Sequence, residues 1–175
     1  FIVIFHIITF RNIRWKDIPG FSVILDCIYH DLNVREVKTI SGSCLKLMKS
    51  FINDSVILNK FVQAMILKTN VFDVSSVVRL FDILHSLFQE YSLNKLHSSF
   101  AYKLDYNLLK KSIRIIIDTD QFLCIRKVLW FFYYNSHIMN LDSFSKLMKM
   151  LLSDYFFTLF FHWSYQVRNI FYYFQ

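Results

Sequence analysis

The stretch QVRNI (166–170) holds one arginine, Arg168, among uncharged residues, and three earlier stretches share its setting. They are NVREV (33–37) around Arg35, VVRLF (77–81) around Arg79 and CIRKV (124–128) around Arg126. The residue before each arginine is Val34, Val78, Ile125 or Val167; two after it stand Val37, Phe81, Val128 and Ile170. Five after it stand Ile40, Leu84, Phe131 and Tyr173. Offsets of three residues put these side chains on one stripe of a helix, with the arginine at its border. The arginines are 44, 47 and 42 residues apart, close to the roughly 40 to 47 residues of armadillo and HEAT units. The fold expected is all-α: stacked helical hairpins of an armadillo/HEAT-like right-handed solenoid, with an irregular helical bundle as the alternative. Apolar helices match apolar positions easily, so the arginines carry most of the register.

Apolar residues recur at three- and four-residue spacing along most of the chain, and long period-2 alternation is missing, which is the pattern of helices. Cap-forming residues divide it into segments. Asp17 with Pro19 opens a helix through about Tyr29, and Asn33 a second through about Phe51. Asp54 or Ser55 opens a third to about Lys68, and Asp73 or Ser75 a fourth to about Tyr91. The more polar SLNKLHSSFAYKLDY (92–106) separates helical repeats over 1–92 from a second set over 104–175, all within one domain. Helices are then expected over about 107–117, 121–134, 143–152, 155–161 and 165–174, the last four capped by Asp120, Asp142, Asp154 and Ser164. Gly42 falls inside the second helix, where glycine costs about 1 kcal/mol relative to alanine, so close backbone packing is expected there.

Hydrophobic residues make up 55% of the 175, with two glycines and one proline, so a sizeable core is expected and disorder is not. Stacked helices apolar on more than one face would use that excess. The 20 Phe and 10 Tyr also fit an A/T-rich coding sequence, which weakens any functional reading of them. The start at Phe1 and the apolar ends, FIVIF and IFYYF, read as a fragment of a longer array. Net charge is +7, spread over Arg11, Arg14 and Lys16, over Lys46 and Lys49, and over Lys103, Lys110, Lys111 and Arg114. Scattered cations are ordinarily solvated helix faces, with an anionic membrane surface or acidic protein as the lesser reading. No nucleic-acid motif accompanies them. Three distant cysteines, Cys27, Cys44 and Cys124, fit reduced, buried thiols in a cytoplasmic setting better than disulfides. The uncharged runs VLWFFYYNSHIMNL (128–141) and YFFTLFFHWSYQV (155–167) fall short of the roughly 18 to 20 residues of a spanning helix.

Two stretches carry a resemblance. NLLKKSIRIIIDTDQFLCIRKVLWFFYYN (107–135) leads into a helix with Leu129, Trp130, Phe131, Phe132 and Tyr133. LFFHWSYQVRNIFYYF (159–174) holds His162, Trp163, Ser164, Val167, Arg168, Asn169, Ile170 and Phe171. From about residue 75 onward the chain resembles an uncharacterised eukaryotic family of fungi and protists, domain of unknown function 1765. The resemblance implies a helical segment of a large protein, sometimes labelled a membrane protein, and supplies no activity.

Each motif that could carry chemistry has a plainer structural explanation. CIYH places Cys27 and His30 at i and i+3, but a zinc site needs more ligands, so a core cysteine and a boundary histidine are expected. DTD (118–120) reads as helix caps. His162 and Ser164 flank Trp163 without an orienting acid nearby in sequence, so a corner is expected, with Ser164 as N-cap and Trp163 wedged into the core. Arg35, Arg79, Arg126 and Arg168 are expected to form a ladder, pairing with acids or carbonyls of neighbouring helices, with Asp31, Asp82 and Asp120 as candidates; four separate solvated arginines are the alternative. No catalytic residue, cofactor or metal is expected, nor a small-molecule substrate. The interaction residues anticipated are Arg35, Arg79, Arg126, Arg168, Trp130, His162 and Trp163. The expected function is a non-catalytic scaffold for an unidentified protein partner in the cytoplasm. The alternative is a membrane-associated module that binds anionic lipid.

Overall fold

Asp54, Asp73 and Asp105 start three of the helices by the same device. Asp54 accepts the Val56 and Ile57 amides at 3.1 and 3.2 Å, and Asp105 accepts those of Asn107 and Leu108 at 3.1 and 3.0 Å. Asp73 accepts the Ser75 amide and the Ser76 hydroxyl at 3.0 and 2.8 Å. Each carboxylate satisfies amides that lack a partner in the first helical turn. A computed structural model describes residues 19–34, 36–50, 54–93 and 104–174, and among these the regular elements are all helical. They are α1 (Phe21–Val34), α2 (Gly42–Ser50), α3 (Ser55–Lys68), α4 (Val74–Leu93), α5 (Tyr106–Asp118), α6 (Phe122–Asn135), α7 (Leu141–Lys149), α8 (Phe156–Phe160) and α9 (Tyr165–Phe171). Tight 3-10 turns occupy Val37–Thr39 and Tyr172–Phe174, and a wider π turn Met150–Asp154. Arg11, Arg14, Lys16, Asp17, Arg35 and Lys103, and the side chain of Asp31, lie outside the described residues.

Several expected boundaries move. Asn33 does not open a helix, because α1 continues to Val34 and the next helix starts at Gly42, where the Ser41 hydroxyl accepts the Cys44 amide at 3.2 Å. Buried Val37 and Ile40 pin the turn between them. Gly42 is therefore the exposed first residue of α2, and a Cβ there would meet nothing within 4 Å; no close packing demands it. Gly42→Ala should raise stability by about 0.5 kcal/mol through the unfolded chain, read as a higher urea midpoint with unchanged slope. Asn140 rather than Asp142 caps α7, accepting the Asp142 amide at 2.9 Å, while Asp142 pairs with Lys146. Gln121 holds the cap position of α6 without a side-chain bond, because Asp120 is engaged elsewhere. Tyr155 holds that of α8, with Asp154 ending the π turn. Ser164 does stand at the start of α9, though its hydroxyl makes no capping bond.

The helices that carry Arg79, Arg126 and Arg168 are neighbours: α4 packs on α6, and α6 on α9. The turn beside Arg35, Val37–Thr39, packs on α4. A second succession runs α1, α3, α5, joined to the first through contacts of α3 with α4 and of α5 with α6. The core between them is apolar and aromatic, with Phe61, Phe81, Phe88, Phe132 and Phe171 fully buried. Each such side chain contributes about 1.5–3 kcal/mol relative to exposure.

Among the described residues no helix is long and apolar enough to cross a membrane. The run 128–141 ends its helix at Asn135, and the run 155–167 breaks into α8 and α9. The expectation of three buried thiols holds for Cys124, whose pKa burial, with Asp73 as the lesser cause, pushes up to about 11. Cys44 is half-buried. Cys27 is exposed, as is His30, because both lie on the outer side of α1.

Candidate functional site

A polar constellation forms where the end of α5 meets the corner between α8 and α9. Helix α5 closes with the Thr119 amide on the carbonyls of Ile115 and Ile116. Asp120 then adopts a left-handed backbone, φ 54°, the non-glycine residue with positive φ among those described. Glycine is the usual occupant of such a position; aspartate is among the few side chains that tolerate it. The turn aims the Asp120 carboxylate at the corner, where one oxygen accepts His162 Nε2 at 3.0 Å and the other Trp163 Nε1 at 3.1 Å.

His162 is 3% exposed, and its Nδ1 accepts the Ser164 amide at 3.0 Å. A backbone N–H can only donate, so Nδ1 is bare and the ring proton sits on Nε2, toward Asp120. Both nitrogens are thus occupied, and the Ser164 hydroxyl has no imidazole nitrogen to activate it. Sequence separation hid the aspartate, which stands 42 residues upstream of His162 and ties it to Trp163 through its two oxygens. Arg168 closes the arrangement, donating through Nη1 to the carbonyls of His162 and, at 3.1 Å, Trp163, with its guanidinium 5.9 Å from the Tyr165 ring centre. Trp163 is not wedged into the core. It meets Phe122 edge-on and lies against His162, both at 5.4 Å, and is 64% exposed, because the bond to Asp120 holds its indole at the surface.

Arg79, Arg126 and Arg168 find carbonyl and amide acceptors rather than acids. Arg79 Nη2 donates to the Ile40 carbonyl at 3.1 Å, and Arg126 Nη1 to Gln166 Oε1 on α9 at 2.7 Å. Asp82 is taken by Lys127, and Asp120 by His162 and Trp163. A guanidinium at the edge of a buried stripe meets the chain ends of the next element, where carbonyls lack helical partners. Removing Arg168 strips two carbonyls of a charged donor, so Arg168→Ala should cost about 1–2 kcal/mol and lower Tm by about 3–6 °C in a domain of this size. A calorimetric shift below about one degree would reject a structural role for it.

A second feature surrounds Trp130, which is half-buried and stacks on Tyr134 at 4.9 Å and 18°. Tyr133 meets Tyr173 at 5.7 Å. Together with His137, Phe144 and Met148, these tyrosines line an open groove of about 640 Å³. Behind it lies Asn135, fully buried, which donates to the Phe131 carbonyl at 2.7 Å and meets His85 Nδ1 at 3.1 Å. Sequence reasoning missed Asn135 and His85; an asparagine closing the apolar run of residues 128–134 was the available signal. Among the described residues no group of three His, Cys, Asp or Glu could hold a metal ion.

The geometry of this half coincides with a family match. The family model described as Protein of unknown function (DUF1765) covers residues 58–174. The chain belongs to this family. The DUF1765 region begins within α3, earlier than the resemblance from about residue 75, and takes in Arg79, Arg126, Arg168, Trp130, His162 and Trp163. Arg35 precedes it. No curated protein and no solved structure matches the chain.

Proposed function

We propose that this chain is a non-catalytic helical-repeat scaffold, built of stacked armadillo/HEAT-like hairpins, that binds another protein. The observation that carries this reading is the sequence separation of the polar contacts between elements. Arg79 reaches Ile40, Gln63 reaches Asp105, Lys127 reaches Asp82, and Arg114 and Arg126 reach Asp154 and Gln166, over 39 to 45 residues, within a full range for such contacts that runs from 35 (Lys38 to Asp73) to 50 (His85 to Asn135). Those separations fall close to the arginine intervals of 42 to 47. Contacts that link a unit to its successor at a near-constant offset are what stacked repeats produce, whereas an irregular bundle has no reason to favour one offset.

The groove of Tyr133, Tyr134 and Tyr173 is the binding surface favoured by its chemistry. Rigid, half-exposed aromatic side chains give large contact area at small entropic cost. Tyr134→Ala combined with Tyr173→Ala should abolish capture of the proteins that the unaltered chain retains from its native extract, while circular dichroism stays unchanged. Equal capture by both would overturn the assignment. The competing lipid reading rests on cations near Lys110 and Lys111, but their neighbours Arg114 and Lys146 are already paired with Asp154 and Asp142. Co-sedimentation with vesicles containing acidic lipid is therefore expected to be negligible at physiological salt; strong, salt-sensitive binding would favour lipid over protein.

A further inference from the structure

We propose that the corner between α8 and α9 is an acid-operated latch, in which a second proton on His162 releases the Ser164 amide and with it the start of α9. In the closed corner His162 carries one proton, on Nε2, and its Nδ1 accepts the Ser164 amide at 3.0 Å. An imidazolium donates through both nitrogens and accepts through neither. No rotation of the ring therefore restores an acceptor, and the second proton sets two donors against each other where His162 is 3% and Ser164 7% exposed. A buried donor without an acceptor is costly, whereas the same amide turned to water is not. The doubly protonated ring thus favours a corner that has opened.

The groups around the ring decide which contact gives way. Asp120, from the end of α5, accepts from Nε2 at 3.0 Å in either protonation state, so that bond does not choose between them. Arg168, from α9, holds its guanidinium on the His162 carbonyl, with the Tyr165 ring beside it. Helix α8 brings no charged residue, and α6 brings Phe122, against Trp163. Asp118, Arg126 and Asp154, on the neighbouring elements, are bonded to Tyr155, Gln166 and Arg114. The Ser164 amide is therefore the contact that the second proton removes. The Ser164 carbonyl accepts the Arg168 amide at 3.3 Å, and the helix it starts is only seven residues long, so losing its entry loosens much of it. The closed corner holds one proton fewer than the open one, so falling pH shifts the balance toward opening. Helix α9 packs on α6, which places the effect where the last helix meets its neighbour. Donor and acceptor counts carry the latch, so it stands whether or not the chain is a scaffold.

Amide hydrogen exchange of the 175-residue chain, read by NMR as protection factors, tests this at about pH 8 and about pH 5, the range over which histidine ordinarily gains its second proton. Protection of the Ser164 and Arg168 amides is expected to fall at least about tenfold at the lower pH. The nitrogen chemical shift of His162 Nδ1 should change from bare to protonated over the same range, while the α6 amides from Val128 to Phe132 keep their protection. His162→Asn keeps an oxygen for the Ser164 amide and takes up no proton, so its Ser164 protection should be equal at both pH values. His162→Gln reaches toward Asp120 but leaves the Ser164 amide bare, so its corner should be open even at the higher pH. An Nδ1 that stays bare at the lower pH, Ser164 protection that survives Nδ1 protonation, or protection lost from all helices together would each overturn the latch. So would a pH-dependent loss in His162→Asn; should that variant not fold, the three outcomes for the unaltered chain still decide.

Discussion

Truncating Phe131 to alanine should cost the fold about 3–5 kcal/mol, the range for deleting a buried aromatic side chain that its surroundings cannot refill. Phe131 is 2% exposed and meets two fully buried rings of α4 edge-on, Phe81 at 5.3 Å and Phe88 at 5.5 Å. It also sits beside Phe132 at 5.8 Å. The void left by the substitution would face three rigid aromatic planes, none of which can pivot into it without surrendering a contact of its own, so most of the lost dispersion is not recovered. The loss is a large share of the roughly 5–15 kcal/mol that holds a domain folded. Phe131→Leu keeps most of the volume and should cost about 1–1.5 kcal/mol. Urea unfolding checks both: the midpoint falls in that order while the slope stays constant. A loss under about 1 kcal/mol for Phe131→Ala would mean that α4 and α6 are not closed against each other in solution.

The stripe to which Phe131 belongs was legible before any coordinates. Its place five residues after Arg126 put it on the buried side; the same offset placed Ile40 and Leu84 in the core, and the other stripe offsets Val167 and Ile170, but Tyr173, five residues after Arg168, is 60% exposed. Periodicity reads burial because a helix repeats its direction every three to four residues. Capping was legible at the start of α3, where Asp54 rather than its alternative Ser55 accepts the first amides. It failed at α7, where Asp142 was expected and Asn140, two residues earlier and equally able to accept, takes the cap. Gly42 was misread because the second helix was begun too early, and an interior glycine and a first-turn glycine look alike in sequence. The corner was the least legible part. Trp163 reads as core by type, yet its indole nitrogen needs an acceptor, and the acceptor lies 43 residues upstream in Asp120. Asp120 itself reads as an ordinary cap, because a left-handed backbone leaves no mark on residue type except where glycine occupies it.

That conformation makes position 120 a place where three substitutions should separate strain from hydrogen bonding. Asp120→Ala removes both acceptors, leaves the proton on His162 Nε2 in a side chain that is only 1% exposed, and places an unsuited residue at φ 54°. An unsatisfied buried donor costs about 1–3 kcal/mol and the left-handed backbone about 1 more; because the carboxylate is 63% exposed, water offsets part of this, and a total of about 3 kcal/mol is expected. Asp120→Gly loses the same acceptors but relieves the backbone, so about 2 kcal/mol is expected. Asp120→Asn keeps a carbonyl oxygen for His162 and tolerates the left-handed region, losing chiefly the bond to Trp163, for about 1 kcal/mol. The order asparagine, glycine, alanine is the discriminating result, measured as unfolding free energies with Trp163 fluorescence recorded alongside. All three variants should shift that emission, since each one releases the indole. If alanine and glycine cost the same, the backbone at 120 is not held left-handed. If asparagine costs as much as alanine, charge on the carboxylate rather than the geometry of its two oxygens fastens the corner.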